Sequence, residues 1–229
     1  MPHGPLAELD SGILGVVGQV PMPLVDLPRR MTVVRLRDGR LVIWSAVSLD
    51  DAGMATLESY GRPAFLVVPG EHHRLDAAAW KARYPQLQVV APPGSREQTA
   101  EVVSVDTTAP EFGDSRVQFA AVPGTHDEEA SLLVRRPGGT TLVLNDLVGN
   151  IRHASGFGGW LLRRMGFAGD DAQIPATTSL TIVKDKAALR AQLLRWAEIA
   201  DLKRIVVSHG DLIEANPRGV LRELAASLA

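Results

Sequence analysis

The chain lacks cysteine and long apolar runs, and both absences restrict its chemistry. None of its 229 residues is a cysteine, which excludes disulfides and thiolate ligands, so a metal would have to be bound by imidazole or carboxylate groups. No run approaches the ~20 consecutive apolar residues of a membrane span. The N-terminus also lacks a basic start followed by a continuous apolar stretch. We therefore expect a cytoplasmic protein.

The chain also lacks a strong net charge and several common catalytic motifs. Its formal charge is -2 with a pI of about 6.3, and acidic and basic residues are interspersed, so no global field favours nucleic acid or an anionic membrane. There is no phosphate-binding P-loop, no GxSxG nucleophile elbow, and no GxGxxG after the early strands. Nucleic acid and membranes are therefore not expected as partners.

The order of elements indicates a layered α/β protein. A hydrophobic content of 45% over 229 residues is enough for one large domain, residues 1–229, in which residues 1–30 form an extended N-terminal segment. Asp38-Gly39 between two β-rich runs predicts a hairpin. Strands and helices then alternate irregularly, which favours two sheets or one large mixed sheet.

Local patterns predict the type of many elements, and one segment is ambiguous. Residues 186–200 form the clearest helix, with apolar residues at three-to-four spacing that include Leu193 and Trp196. Residues 101–105, EVVSV, are predicted to be a strand. The Gly-rich stretch 147–183 is hard to assign, with GFGGWLLRRMGF as a short amphipathic helix within it.

Four apolar runs predicted to be strands lead to residues that can bind a metal. The runs AFLVV, VQFAAV, TTLVLN and RIVVS lead to His72-His73, His126, Asp146 and His209. Loops at the carboxyl ends of strands often hold functional residues on a rigid scaffold. Imidazole and carboxylate are the ligands expected for zinc or another divalent first-row ion. Their recurrence predicts a metal site more specifically than any one of these residues does alone.

Each of these residues also has an ordinary structural explanation. His72 and His73 can be polar surface residues after a turn. His126 can cap a turn in an acidic loop, and Asp146 can be the N-cap of the element that follows its strand. His209 can hydrogen-bond to a neighbouring backbone group. The residue types alone leave these alternatives open.

The order and contexts of the residues resemble the metallo-β-lactamase superfamily. Its second motif, a histidine after Pro-Gly, is similar to Pro123-Gly124-Thr125-His126. Its later motifs, an aspartate after a strand and a strand ending in a histidine before glycine, are similar to the surroundings of Asp146 and His209. The similarity spans residues 31–229. It implies an α/β fold, the four-layer αβ/βα sandwich of metallo-β-lactamase type, with metals at the loop edge of two facing sheets.

The first motif of the superfamily, His-x-His-x-Asp-His, is where this chain departs from the pattern. Alignment on the last histidine places His73 at that position and His72 at the aspartate. Val68 and Gly70 then replace the first two histidines. The loss of both removes most of one of the two metal sites.

The resemblance also implies a cofactor and the residues that bind it. One divalent ion is expected rather than two, with zinc first and iron or manganese as alternatives. A neutral histidine near the ion can accept a proton from water, which makes His72 the candidate catalytic residue. The implied metal ligands are His73, His126, Asp146 and His209, with His72 as a further candidate ligand.

These residues lead to one main hypothesis of function and two alternatives. The resemblance implies a metal-dependent hydrolase of a small ester, lactone, amide or phosphoester that uses a metal-bound water. The expected partner is thus a small-molecule substrate, with a homo-oligomer left open. The degenerate first motif leaves open a non-catalytic protein of the same fold that binds a ligand or partner. A third hypothesis is an oligomerisation module whose partners dock on residues 156–167. The sequence does not name the substrate, because specificity in this superfamily lies in loops such as 147–183.

Overall fold

The computed structural model describes residues 3–21 and 26–229, which contain twelve strands and seven helices. Residues 1–2 and 22–25 of the predicted N-terminal segment lie outside the described residues. The strands are β1 (Ala7–Asp10), β2 (Ile13–Pro21), β3 (Asp26–Arg35), β4 (Arg40–Trp44), β5 (Arg62–Val67), β6 (Gln88–Val90), β7 (Val117–Ala121), β8 (Ala130–Arg136), β9 (Gly139–Val143), β10 (Gly149–Asn150), β11 (Leu202–Val206) and β12 (His209–Gly210). The helices are α1 (Asp51–Tyr60), α2 (Ala77–Arg83), α3 (Arg96–Ala100), α4 (Gly156–Met165), α5 (Ala176–Thr181), α6 (Lys186–Ala197) and α7 (Pro217–Ala226). No helix in this described part of the chain combines the length and apolarity needed to cross a membrane.

The first sheet contains β1 to β6 in their order along the chain. Strands β1 to β4 are antiparallel, and β5 and β6 then add in parallel to β4. The predicted hairpin between β3 and β4 is confirmed, with Gly39 at a φ of 81° and the Asp38 carboxylate accepting the backbone N–H of Arg40. Strands β1 and β2 place much of the predicted extended N-terminal segment inside this sheet.

The second sheet has the strand order β11-β9-β8-β7. Strands β7, β8 and β9 form an antiparallel meander, and β11 pairs in parallel with β9. A separate parallel pair, β10 with β12, lies beyond the ends of β9 and β11. Because β9 and β11 run in the same direction, the residues that follow them emerge at the same edge of the sheet.

Three apolar cores separate four layers of helix and sheet. Helices α1 and α2 pack on the outer face of the first sheet through Leu57 and Trp80. The inner faces of the two sheets meet in a second core that contains Val67 and Val143. Helices α6 and α7 cover the outer face of the second sheet. This arrangement confirms the four-layer sandwich expected from the sequence.

Strand β5 shows why a central strand here reads as a continuous apolar run. Leu66 contributes to the core under α1 and α2, whereas Phe65 and Val67 enter the core between the sheets. Successive side chains of a strand point to opposite faces, and both faces of β5 are buried. Polar residues therefore need not alternate with apolar ones along β5. The apolar run continues without interruption to the edge of the sheet where the loops lie.

Residues 101–105 do not form the strand predicted for them. The backbone N–H groups of Val102 and Val103 both donate to the carbonyl of Thr99, so this stretch continues as a turn from the end of α3. Val103 and Val105 are nevertheless buried in the core beneath the first sheet. The apolar pattern of this stretch correctly predicted that Val103 and Val105 are buried. Its prediction of a strand was wrong.

Helix α6 has the buried stripe that its spacing predicts. Leu189, Leu193 and Trp196 are all buried in the core under the second sheet. The Asp185 side chain caps the helix by accepting the backbone N–H of Ala188. Trp196 is therefore a core residue, not part of a binding surface.

Trp196→Ala should lower the free energy of unfolding by about 3–5 kcal/mol, because it leaves a cavity in this core. Urea denaturation measures the change. Arg190→Ala, at an exposed position of the same helix, is the control and should stay within about 0.5 kcal/mol of the parent. An unfolding midpoint that does not move in Trp196→Ala would contradict the assignment.

Candidate metal centre

Three of the predicted ligands, His73, Asp146 and His209, meet at one point. The Nε2 atom of His73 lies 3.0 Å from Asp146 Oδ1, and the Nε2 atom of His209 lies 2.9 Å from the same oxygen. The three ligand atoms all lie within 4.8 Å of one another, and all three side chains are buried. Residues separated widely along the chain thus form one compact donor set.

The topology of the sheets explains why these residues meet. Asp146 and His209 follow β9 and β11, which are parallel neighbours in the second sheet. His73 follows β5 of the first sheet, at the end of a single helical turn, Glu71–His73. The donor set is therefore assembled from both sheets at the loop edge of the sandwich.

The outer nitrogen of each histidine has its own hydrogen-bond partner. His209 Nδ1 lies 2.7 Å from the carbonyl oxygen of Pro28, and His73 Nδ1 lies 2.6 Å from the Ser45 hydroxyl. Ser45 directly follows β4 and has a φ of 55°, in the left-handed region. Such contacts to the second nitrogen fix the orientation and tautomer of metal-binding histidines.

The contact of His209 tests whether a metal fits this donor set. A carbonyl oxygen only accepts hydrogen bonds, so His209 Nδ1 must be the donor to Pro28. In the neutral ring the Nε2 atom then presents a lone pair to the Asp146 carboxylate, 2.9 Å away. The lone pair and the anionic oxygen repel each other. Either a proton on Nε2 or a cation between the two atoms removes this repulsion. Two imidazoles and one carboxylate are a suitable set for a divalent ion with bonds of about 2.0–2.2 Å.

The directions in which the pKa values of His73 and Asp146 are shifted favour this fit. Burial lowers the pKa of the His73 ring, and this effect outweighs the opposing influence of Asp146. Burial alone would raise the pKa of Asp146, but the adjacent His73 and His209 rings reverse the effect and hold its pKa well below the ordinary value. A neutral imidazole and an ionised carboxylate are the forms that bind metal.

Neighbouring polar groups hold the loops that carry Asp146 and His209. The backbone carbonyl of Asp146 accepts a hydrogen bond from the Thr178 hydroxyl at 2.8 Å, which ties it to α5. Asn145 and Ser208, one residue before each ligand, hydrogen-bond to each other at 2.7 Å. Phe167 packs its ring edge-on against His209, with 5.4 Å between the ring centroids. The ligand loops are therefore fixed to each other and to the segment that covers them.

A buried ion pair fixes the loop of His73 against β3. The Arg29 guanidinium donates to the Asp76 carboxylate, which also accepts a hydrogen bond from the Ser48 hydroxyl at 2.7 Å. Arg29 and Asp76 are both buried, so neither charge is screened well by water. Arg29 adjoins Pro28, the residue whose carbonyl orients His209. The same strand therefore positions parts of both histidine loops.

The candidate catalytic residue His72 is not brought to this centre. Its side chain is 61% exposed, and its Nε2 atom lies 3.6 Å from a carboxylate oxygen of Glu71. The neighbouring His73 is buried. The tight turn directs these adjacent side chains in opposite ways, one to the ligand cluster and the other to solvent.

His126, the fourth predicted ligand, also stays outside the cluster. It is exposed and has a φ of 52° in a turn with Asp127. Thr125 is the residue of this motif that faces inward, where its hydroxyl donates to the carbonyl of Val122 at 2.8 Å. The insertion of a threonine between Pro123-Gly124 and the histidine therefore turns the imidazole outward.

A carboxyl group that the motifs did not predict lies beside the centre. Glu129 is only 2% exposed, and its Oε2 atom has no hydrogen-bond partner among the residues that the structure describes. Burial raises its pKa well above the ordinary value, and the negative charge of Asp146 raises it further. A Cβ atom built on Gly70 would lie 2.1 Å from Glu129 Oε1. The Glu129 carboxyl therefore fills the space into which a side chain at position 70 would project.

Some of the polar residues that surround the donor set could have been predicted from the sequence, and others could not. Asn145 and Ser208 directly precede predicted ligands, and Ser45 ends an apolar strand, so the pattern of polar residues at strand ends could have identified them. Thr178 lies in the unassigned segment. Glu129 stands in a run of acidic residues that reads as an ordinary solvated loop.

Gly70→Ala should destabilise the fold by about 1–3 kcal/mol, because the new methyl group displaces a buried carboxyl. The φ of Gly70 is -171°, an extended conformation open to any residue, so the effect is one of space alone. In a Glu129→Ala background the same substitution should cost much less. Chemical denaturation of the four proteins of this cycle measures the coupling. An equal cost of Gly70→Ala in both backgrounds would show that the two residues do not compete for space.

Comparisons with known proteins give no match in sequence and clear matches in structure. No protein-family model matches the chain, and the curated proteins also yield no match. The metallo-β-lactamase FIM-1 from Pseudomonas aeruginosa, in its mono-zinc form, is similar with a TM-score of 0.62 and 13% identity, covering 98% of this chain and 96% of that one.

Two further metallo-β-lactamases have similar structures. The protein from Hirschia baltica has a TM-score of 0.61 and 10% identity, covering 97% of this chain and 98% of that one. The protein from Erythrobacter litoralis, with β-mercaptoethanol in its active site, has a TM-score of 0.65 and 12% identity, covering 97% and 96%. Likeness at such low identity establishes architecture and not activity. The chain has the metallo-β-lactamase fold.

Proposed function

We propose that the protein is a metal-dependent hydrolase with one divalent ion at His73, Asp146 and His209. The observation that supports this most is the convergence of two imidazoles and a carboxylate on one point, with the Nε2 atoms of His73 and His209 both facing Asp146 Oδ1. Zinc is the expected ion, with iron and manganese as alternatives. The fold, shared with metallo-β-lactamases, supports the same proposal.

The surroundings of the donor set support one ion rather than two. Val68 and Gly70 offer no ligand atoms at the first two histidine positions of the family motif, and His126 points outward. The carboxyl group of Glu129 fills the space beside Gly70. A second ion would lack imidazole ligands on this side of Asp146, so the clamp that two metals provide is not part of the proposal.

The chain itself contributes orientation and exclusion of water. Pro28 and Ser45 hold the two rings so that each Nε2 atom faces the ligand point. When bound there, a divalent ion activates water and polarises a carbonyl or phosphoryl oxygen. Phe167 covers His209 and limits solvent access. The proposed substrates are small esters, lactones, amides or phosphoesters, and His72 is assigned no role because its ring faces solvent beside Glu71.

One observation favours a second candidate function. His73, Asp146 and His209 are all buried and Phe167 packs against His209, so little of the donor set is accessible to a substrate. A protein of this fold that binds a ligand or partner without turnover would need no such access. The two candidates differ in activity, and measurement of metal alone does not separate them.

Protein purified without chelators should contain about one divalent ion per chain, as expected for a single three-ligand site. His209→Ala should lose it, because the substitution removes one of three ligands and uncovers a buried carboxylate. Inductively coupled plasma mass spectrometry, followed by titration with zinc, measures content and affinity. His126→Ala and His72→Ala remove exposed imidazoles and serve as matched controls that should keep the ion. Unchanged metal content in His209→Ala would show that the site is wrong.

Hydrolysis of superfamily substrates, including β-lactams, should be slow and should depend on added metal. The reason is the absence of a second ion to stabilise both the attacking and the leaving group. Steady-state assays with zinc, manganese or iron compare the parent with a His73→Ala/Asp146→Ala variant. A kcat/KM near 10⁴ M⁻¹s⁻¹, roughly the lower end for typical enzymes, and lost in the variant would show that this site is more active than expected. A metal-loaded protein inactive on every substrate class favours the non-catalytic alternative.

A further inference from the structure

The segment that covers the metal centre differs in charge from the rest of the chain. Residues 151–169 contain three arginines and no aspartate or glutamate, whereas the whole chain has a net charge of -2. Arg152, Arg163 and Arg164 are all exposed. This segment therefore presents a local positive surface on a protein that is close to neutral overall.

Helix α4, within this segment, exposes two large aromatic side chains. Phe157 and Trp160 are 63% and 58% exposed, and their rings stack with centroids 5.6 Å apart. The opposite side of the helix is buried through Gly159 and Leu162. Because exposed aromatic pairs are uncommon on a soluble surface, this pair suggests a partner that removes it from water.

The arginines share the exposed side of α4 with the aromatic rings. Phe157, Trp160 and Arg164 stand at i, i+3 and i+7 of the helix, which places them on one stripe. Arg163 lies beside that stripe and has Asp170, which is 98% exposed, at 4.0 Å. One side of the helix therefore combines aromatic rings with guanidinium groups.

A basic cavity adjoins the carboxyl end of α4. It has a volume of about 390 Å³, and Arg163, Arg164 and Lys186 are among its lining residues. None of the lining residues is acidic. Three cationic side chains around one cavity form a suitable site for a phosphate group.

We propose that α4 docks on the surface of an anionic phospholipid bilayer. Phe157 and Trp160 would enter the interface between headgroups and acyl chains, where aromatic rings are favoured. Arg163, Arg164 and Lys186 would bind lipid phosphates, and the cavity would hold one headgroup. The net charge of the whole chain gave no reason to expect a membrane partner, because it does not reveal this local positive surface.

A second copy of the chain fits this face less well than a lipid surface. A symmetric contact through α4 would bring Arg163 and Arg164 of one protomer toward those of the other, and like charges repel. An anionic bilayer instead complements the arginines and accepts the aromatic rings at the same time. The proposal does not depend on the chemistry of the metal centre, although Phe167, two residues beyond α4, touches His209.

The experiment is binding to vesicles of phosphatidylcholine with or without phosphatidylglycerol, measured by co-sedimentation at low and high salt. The parent should bind the anionic vesicles at least about tenfold more tightly than the neutral ones, and high salt should weaken the binding. Trp160 is a built-in reporter, because the other three tryptophans are buried. Its fluorescence should shift to shorter wavelength only with anionic vesicles.

Variants test whether vesicle binding depends on the exposed side of α4. Phe157→Ser/Trp160→Ser and Arg163→Gln/Arg164→Gln should each lose roughly tenfold or more in affinity for anionic vesicles. Leu75→Ser is the matched control, since Leu75 is 50% exposed and lies outside both α4 and the residues that line the cavity, so its loss should change nothing. Thermal unfolding of each variant should match the parent, because every substituted side chain is exposed.

Four outcomes would overturn the proposal. One is the absence of binding, and another is equal binding to neutral and anionic vesicles. A third is inorganic phosphate quenching or shifting Trp160 fluorescence while vesicles do not, which would assign the cavity to a free anion. The last is a dimer in sedimentation velocity that the Phe157→Ser/Trp160→Ser variant abolishes, which would assign the face to self-association.

Discussion

One carboxylate oxygen joins the two halves of this sandwich at its loop edge. Asp146 Oδ1 faces an imidazole from the first sheet and an imidazole from the second, at 3.0 and 2.9 Å. Because all three groups are buried, their charges and hydrogen-bond capacity must be balanced within the protein. The contacts of Ser45 and Pro28 with the outer ring nitrogens follow from this demand, since each ring can face Asp146 only if its other nitrogen is also satisfied.

The fold and the convergence of His73, Asp146 and His209 were predictable because both depend on patterns that are local in sequence. His73, Asp146 and His209 each follow an apolar run, and parallel or facing strands deliver their ends to one edge. The inward or outward direction of adjacent residues was not predictable in the same way. His72 and His126 lie next to buried residues and face solvent, because turn backbone angles decide which of two neighbours points inward. Those angles do not follow from residue type.

Contacts made by backbone atoms or by shape leave little trace in a sequence. The carbonyl of Pro28 orients His209, yet every residue has a carbonyl, so nothing in the residue type indicates this role.

The net charge of the whole chain also conceals a local feature. A net charge of -2 describes the whole protein, while residues 151–169 contain three arginines and no acidic residue. The positive surface becomes apparent when charge is summed over each segment that the fold places together on the surface.

The competition between Gly70 and Glu129 for one space constrains the order in which this centre can change. A histidine at position 70 would place its Cβ atom 2.1 Å from the Glu129 carboxyl as it now stands, so that substitution is obstructed while the glutamate remains. Placing a ligand side chain at position 70 therefore requires that the carboxyl of residue 129 be shortened or moved, a change that supplies no ligand by itself. The lack of a side chain at position 70 is therefore a matter of space and not of backbone conformation, since a φ of -171° is open to any residue.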